Sequence, residues 1–178
     1  GTKNSVLVKN YNMWRQAEED SYMDIDTWNE ARIKPINIEG QRVWFGIDVG
    51  KSSDLYAISW LIPQDGYWYA DSYAFVGTKY GLQNKIKADR LDYVRLQDMG
   101  QCEITKLESG VIDVERVYQW LDEFVKDHNL DVQAICYDPA QYGTLLTQIE
   151  KGHPEWEQIS VRQGTLTLSM PTKQFRDD

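Results

Sequence analysis

Between residues 42 and 76 the chain consists of three strand-like runs on two short turns, and that succession limits the folds open to it. RVWFGIDVG at 42–50 is apolar, rich in β-branched and aromatic residues, and ends in glycine, as a buried strand does. The polar KSSD at 51–54 leads into LYAISWLIP at 55–63. Gln64-Asp65-Gly66 then supplies hairpin turn chemistry ahead of YWYADSYAFV at 67–76. Three consecutive strands on short turns form an antiparallel meander. The polar stretch that follows predicts a loop and a helix around ADRLDYVRLQDMG at 88–100, then an extended piece in CEITKLESG at 102–110.

Farther along, Asp113 is placed to cap a helix whose Val114, Val117, Tyr118, Leu121, Phe124 and Val125 fall on one face, with Asn129 as its stop. The almost continuously apolar VQAICY at 132–137 predicts a central strand covered on both sides. Asp138-Pro139 ends it. A second amphipathic helix then carries Tyr142, Leu145, Leu146 and Ile149 and closes at Gly152, and QISVRQ at 158–163 predicts a last strand. A helical crossover between strands of one sheet requires some of them to be parallel. The expected class is therefore α/β: a mixed sheet of a three-strand antiparallel meander plus parallel strands, with flanking helices. That arrangement matches the ribonuclease-H-like fold.

At 178 residues the chain is long enough for one domain, or for a domain with an attached segment. Residues 1–40 differ in texture, mixing acids, aromatics and helical spacing around Trp14, Trp28 and Pro35, and read as a connecting arm rather than the alternative, a surface helix pair. A start at Gly1 rather than Met fits an excised piece. No apolar run approaches the ~20 residues needed to span a bilayer, and no signal-peptide pattern opens the chain. Cys102 and Cys136 lack metal-ligand spacing with each other or with His128 and His153, which argues against zinc and for a reducing, intracellular setting. Cys136, inside AICY, reads as a small buried hydrophobe. A net charge of −9 argues against a simple nucleic-acid binder. It leaves open an enzyme whose carboxylates hold divalent metals, because the metals supply positive charge where phosphate approaches.

Two acids draw attention by position. Asp48 lies near the end of the first apolar run, where an acid among hydrophobes is costly unless paired or metal-bound, although it could also hydrogen-bond the following turn. Asp138 closes the VQAICY run and, taken alone, is better explained as a helix cap before Pro139. Together they carry more weight. Ligand sites of α/β sheets gather at the carboxyl ends of strands, so neighbouring strands would let both carboxylates share one or two Mg²⁺ or Mn²⁺ ions. Asp54 is a third candidate ligand, explained equally well as a turn residue, while Lys51, Arg162 and Lys173 could touch a phosphate backbone or simply be solvated. GIDVGKSS imitates a phosphate loop, but only three residues separate Gly46 from Gly50 where four are required, and one of them is Asp48. ATP hydrolysis by that route is excluded.

VWFGIDVGKSSDLYAISWLIP at 43–63 resembles the first two strands of the nuclease domain in phage terminase large subunits. The likeness continues through GVID at 110–113, AICYDPAQYGTLL at 134–146 and VRQGTLTLSMPTKQF at 161–175. NYNMWRQAEEDSYMDIDTWNEA at 10–31 is similar to the segment that joins the family's ATPase and nuclease domains. The resemblance implies a linker over 1–40 and a ribonuclease-H-like nuclease domain over 41–178. It implies a Mg²⁺- or Mn²⁺-dependent endonuclease that cuts concatemeric double-stranded viral DNA, with Asp48 and Asp138 as first and second catalytic acids. The family's third acid lies beyond the Ser-Met-Pro-Thr-Lys region, and Asp177 and Asp178 are too close to that region to supply it. A C-terminally incomplete domain that cuts poorly is the expectation. Small subunit and portal protein are the implied partners of the full-length motor, in the cytoplasm of a bacterial host. Competing readings are another ribonuclease-H-like enzyme (a resolvase, a transposase or a sugar-kinase-like ATPase) and a non-catalytic docking module.

Overall fold

A computed structural model describes residues 25–50, 55–141, 143–162 and 164–177. They form two compact units, one within residues 38–163 and one that takes in 25–37 with 164–177. In the first unit, β1 (Arg42–Val49), β2 (Leu55–Gln64) and β3 (Tyr67–Val76) make the expected meander. Strict alternation sets its faces: Val43, Phe45 and Ile47 are buried, and Trp44, Gly46 and Asp48 point the other way. The β2–β3 turn places Asp65 at φ 55° and Gly66 at φ 82°, the left-handed pair that a two-residue hairpin requires.

Beyond the meander the chain departs from expectation at the edges. Residues 78–100 hold two short helices rather than one, α2 (Leu82–Asp89) and α3 (Tyr93–Asp98), broken where Arg90 takes a φ of 57°. Only Cys102–Ile104 of the predicted extended piece is strand, β4, which pairs parallel to β3. α4 (Val114–Asp127) begins as predicted, with the Asp113 carboxylate accepting from Arg116 N at 3.3 Å, and ends at His128 before Asn129 turns left-handed at φ 48°. β5 (Asp131–Tyr137) pairs parallel to β1, and after a 3-10 turn at Pro139–Gln141 come α5 (Thr144–Gly152) and β6 (Gln158–Ser160), parallel to β5. The six-stranded order is β4-β3-β2-β1-β5-β6. α1 (Ile25–Glu30) and α6 (Thr165–Asp177) belong to the second unit. Among the described residues no helix is long and apolar enough to cross a membrane.

Two strand expectations are corrected. β5 is buried only at Ala134 and Ile135, because it neighbours β6, a three-residue edge strand, rather than lying at the centre. QISVRQ pairs over three residues only. Its partner strand stops at Tyr137, where Asp138 and Pro139 turn away and Pro139 has no N–H to offer the ladder.

The core lies mostly on one side of the sheet. Val117, Leu121 and Val125 of α4 are buried, and an aromatic cluster joins the helix to the strands. Tyr73 stacks on Trp120 at 4.4 Å between centroids, and Trp60 meets Phe124 at 4.7 Å. α5 packs beside α4. His153 at its end contacts Asp122 at 2.9 Å and Glu155 at 3.1 Å, and lies flat on Trp156 at 3.7 Å. On the opposite side, α2 and α3 cover only the β3–β4 end, where Val76, Tyr93 and Cys102 form a small core with Leu55, Leu82, Ile86 and Leu96.

Candidate active site

β1 and β5 run parallel as neighbours, with Gly46 opposite Cys136 and Ile47 opposite Tyr137. One step further along this register stand Asp48 and Asp138, at the carboxyl ends of strands about 5 Å apart. Asp48 is exposed, which corrects the expectation of an acid buried among hydrophobes. The alternation that buries Ile47 turns Asp48 to the opposite side, so its charge stays in solvent at little desolvation cost. Asp138 is half-buried, and its Oδ1 accepts from Ala140 N at 2.9 Å. The capping reading of Asp138 is therefore correct as far as it goes: one oxygen closes the 3-10 turn, and Oδ2 has no hydrogen-bond partner among the described residues.

The floor beside the two acids is low. A Cβ on Gly46 would come within 2.9 Å of Ser59 Oγ, and that hydroxyl donates to the Gly46 carbonyl at 3.3 Å. Cys136 shares this side of the sheet. Burial, and then the neighbouring Glu157 charge, push its thiol above the ordinary range, so it stays neutral and is a poor nucleophile. Arg162 is exposed just past β6, on the same rim, where Val161 N donates to the Tyr137 carbonyl at 2.7 Å. Lys173 is exposed on α6, in the other unit. Lys51 and Asp54 lie outside the described residues. Among the described residues no third Asp, Glu, His or Cys joins Asp48 and Asp138 in a metal-binding group. Two hard oxygen donors on adjacent strands nevertheless suit Mg²⁺ or Mn²⁺.

A cavity of about 160 Å³ lies elsewhere, between β3–β4 and the start of α4. Of its two cations, Lys106 and Arg116, the second is engaged, meeting Glu103 at 3.1 Å and Glu123 at 2.9 Å. Sequence reasoning treated 42–50 as one apolar run and so passed over the side of the sheet that bears Asp48. The signal was available in the period-two set Arg42, Trp44, Gly46, Asp48.

A mixed sheet built from an antiparallel meander and parallel strands, with acids closing two adjacent parallel strands, defines a ribonuclease-H-like protein. Residues 2–177 match the family model described as terminase large subunit, endonuclease domain, and the chain belongs to that family. The resolvase, transposase and sugar-kinase readings are thereby set aside. The fold is also that of the large terminase of bacteriophage HK97, known from a crystal structure, with a TM-score of 0.70 at 19% identity over 88% of this chain. The matched region is 32% of that protein, so this chain spans about a third of its length. No curated protein sequence matches the chain.

Proposed function

We propose that this chain is the part of a packaging large subunit that hydrolyses phosphodiester bonds in double-stranded viral DNA, with divalent metal held between Asp48 and Asp138 and the site completed by an acid outside these residues. The observation that carries the reading is the parallel register of β1 and β5, which leads to these two acids side by side at one rim. Asp48 presents its carboxylate from a rigid strand, and Asp138 is oriented by its bond to Ala140 N. Asp54 would be a further ligand, and Lys51, Arg162 and Lys173 would meet backbone phosphates. When bound, Mg²⁺ or Mn²⁺ acidifies a water molecule and offsets charge on the phosphate. The glycine at 46 keeps the floor low enough for a sugar–phosphate backbone to approach the acids.

In the whole packaging protein, residues 1–40 would link an ATPase domain to a nuclease domain spanning 41–178. Small subunit and portal would be its assembly partners, in the bacterial host cytoplasm. The test is relaxation of supercoiled plasmid with Mn²⁺ by the full-length large subunit carrying this domain. Asp48→Ala and Asp138→Ala should each slow cutting by at least about a hundredfold. Equal cutting by the variants, or cutting that ignores Mn²⁺, would rule out this two-carboxylate site, and plasmid left intact by the wild type would leave a docking module of the packaging motor as the better account.

A further inference from the structure

On the side of the sheet that bears Asp48, the registers arrange residues in rows. Asp48, Ala57 and Ala74 make one row, Gly46, Ser59 and Ser72 the next, and Trp44, Leu61 and Ala70 the third. Pro63 and Trp68 follow, with Arg42 at the start of β1 two residues before Trp44. Between the acids and Trp44 the meander carries nothing larger than serine, so the floor is flat. At its far end stands a built cluster. Trp68, 60% exposed, meets Trp44 edge-on at 5.7 Å, and the Arg42 guanidinium lies 5.9 Å from the centre of the Trp44 ring. Arg42 is exposed and has no carboxylate partner among the described residues.

We propose that Arg42, Trp44 and Trp68 hold the DNA strand that leads away from the scissile phosphate, an inference that rests on the nuclease reading above. Arg42 is six residues from Asp48 along one strand, about 20 Å, or about six base-pair steps of B-form DNA. Charge favours nucleic acid over protein as the occupant. With a net charge of −9 the chain repels DNA in general, so the Arg42 cation at one end of a flat floor, and the two acids at the other, mark where phosphates can lie. Trp44 braces Trp68, so the exposed indole meets a sugar or a frayed base with little rotamer freedom left to lose.

The experiment measures binding of a labelled 20-base-pair duplex to the full chain in Ca²⁺ across a salt series, beside Mn²⁺-dependent plasmid cutting by the full-length large subunit. Arg42→Ala should weaken binding about tenfold and reduce the salt slope by about one, and Arg42→Lys should restore most of the slope. Trp68→Ala should weaken binding about fivefold and leave the slope unchanged, because it removes contact but no charge. Unchanged affinity in both variants, or no duplex binding by the wild type, overturns the subsite. For Arg42→Ala, a lowered melting temperature or a changed oligomeric state with an unchanged slope also overturns it, by making the cluster a protein contact. If Asp48→Ala abolishes cutting while Arg42→Ala and Trp68→Ala bind normally, the subsite alone is wrong. If cutting survives Asp48→Ala, the nuclease site itself is wrong.

Discussion

Asp48 and Asp138 are held in different ways, and a few residues elsewhere in the fold show how tightly position can be set. Asp48 was legible as a candidate from GIDVG, yet its exposure followed from the alternation of Val43, Phe45 and Ile47 rather than from the apolar run as a whole. Gly110, at φ 69°, packs so closely that a Cβ would lie 2.6 Å from Lys79 N, whereas Gly40 has the same φ and nothing within 4 Å. Gly40→Ala should therefore cost about 1 kcal/mol for backbone strain alone, and Gly110→Ala at least about 3 kcal/mol, measured by urea denaturation. Asp122 adds a pH dependence. Partial burial raises its carboxyl, but hydrogen bonds from Lys126 and His153 outweigh this and hold it below the ordinary range. A depressed carboxyl contributes stability above its unfolded value near 4, lost as pH falls through the folded value. Asp122→Asn should lower the melting temperature at pH 5, and its gap from the wild type should close as pH falls toward ~2.

Among the elements, α4 does most to hold the sheet. Its apolar face was legible from spacing, since Val117, Leu121 and Val125 are the buried positions, and Asp113 announced its start. Leu121 is fully buried, so Leu121→Ala should cost about 2–5 kcal/mol, while Leu166→Ala, at a fully exposed position of α6, should stay within about 0.5 kcal/mol by the same denaturation assay. The short elements were not legible, for a physical reason. α2 buries no residue of its own, and β4 and β6 are three-residue strands whose existence depends on partners distant in sequence. Their lengths are set by where β3 and β5 stop, which no local pattern in CEI or QIS records.

At the scale of the whole chain, every buried core residue among the described ones lies between Val43 and Trp156. The unit 38–163 should therefore unfold cooperatively when produced alone, with a melting temperature within a few degrees of the 178-residue chain by circular dichroism. A broad, non-cooperative transition would mean that the other unit completes the core. The meander and the helix-linked parallel strands were readable in order because turn residues and caps bound each run. The adjacency of β1 and β5, on which the site depends, is a long-range pairing that spacing could only suggest. That adjacency makes a direct demand on metal binding. Mn²⁺ affinity, measured by titration calorimetry for wild type, Asp48→Ala, Asp138→Ala and the double variant, tests it with a thermodynamic cycle. If the two carboxylates share one ion, each single variant should lose at least about tenfold in affinity and the double variant little more. Independent, additive losses, or wild-type affinity in either single variant, would contradict a shared site.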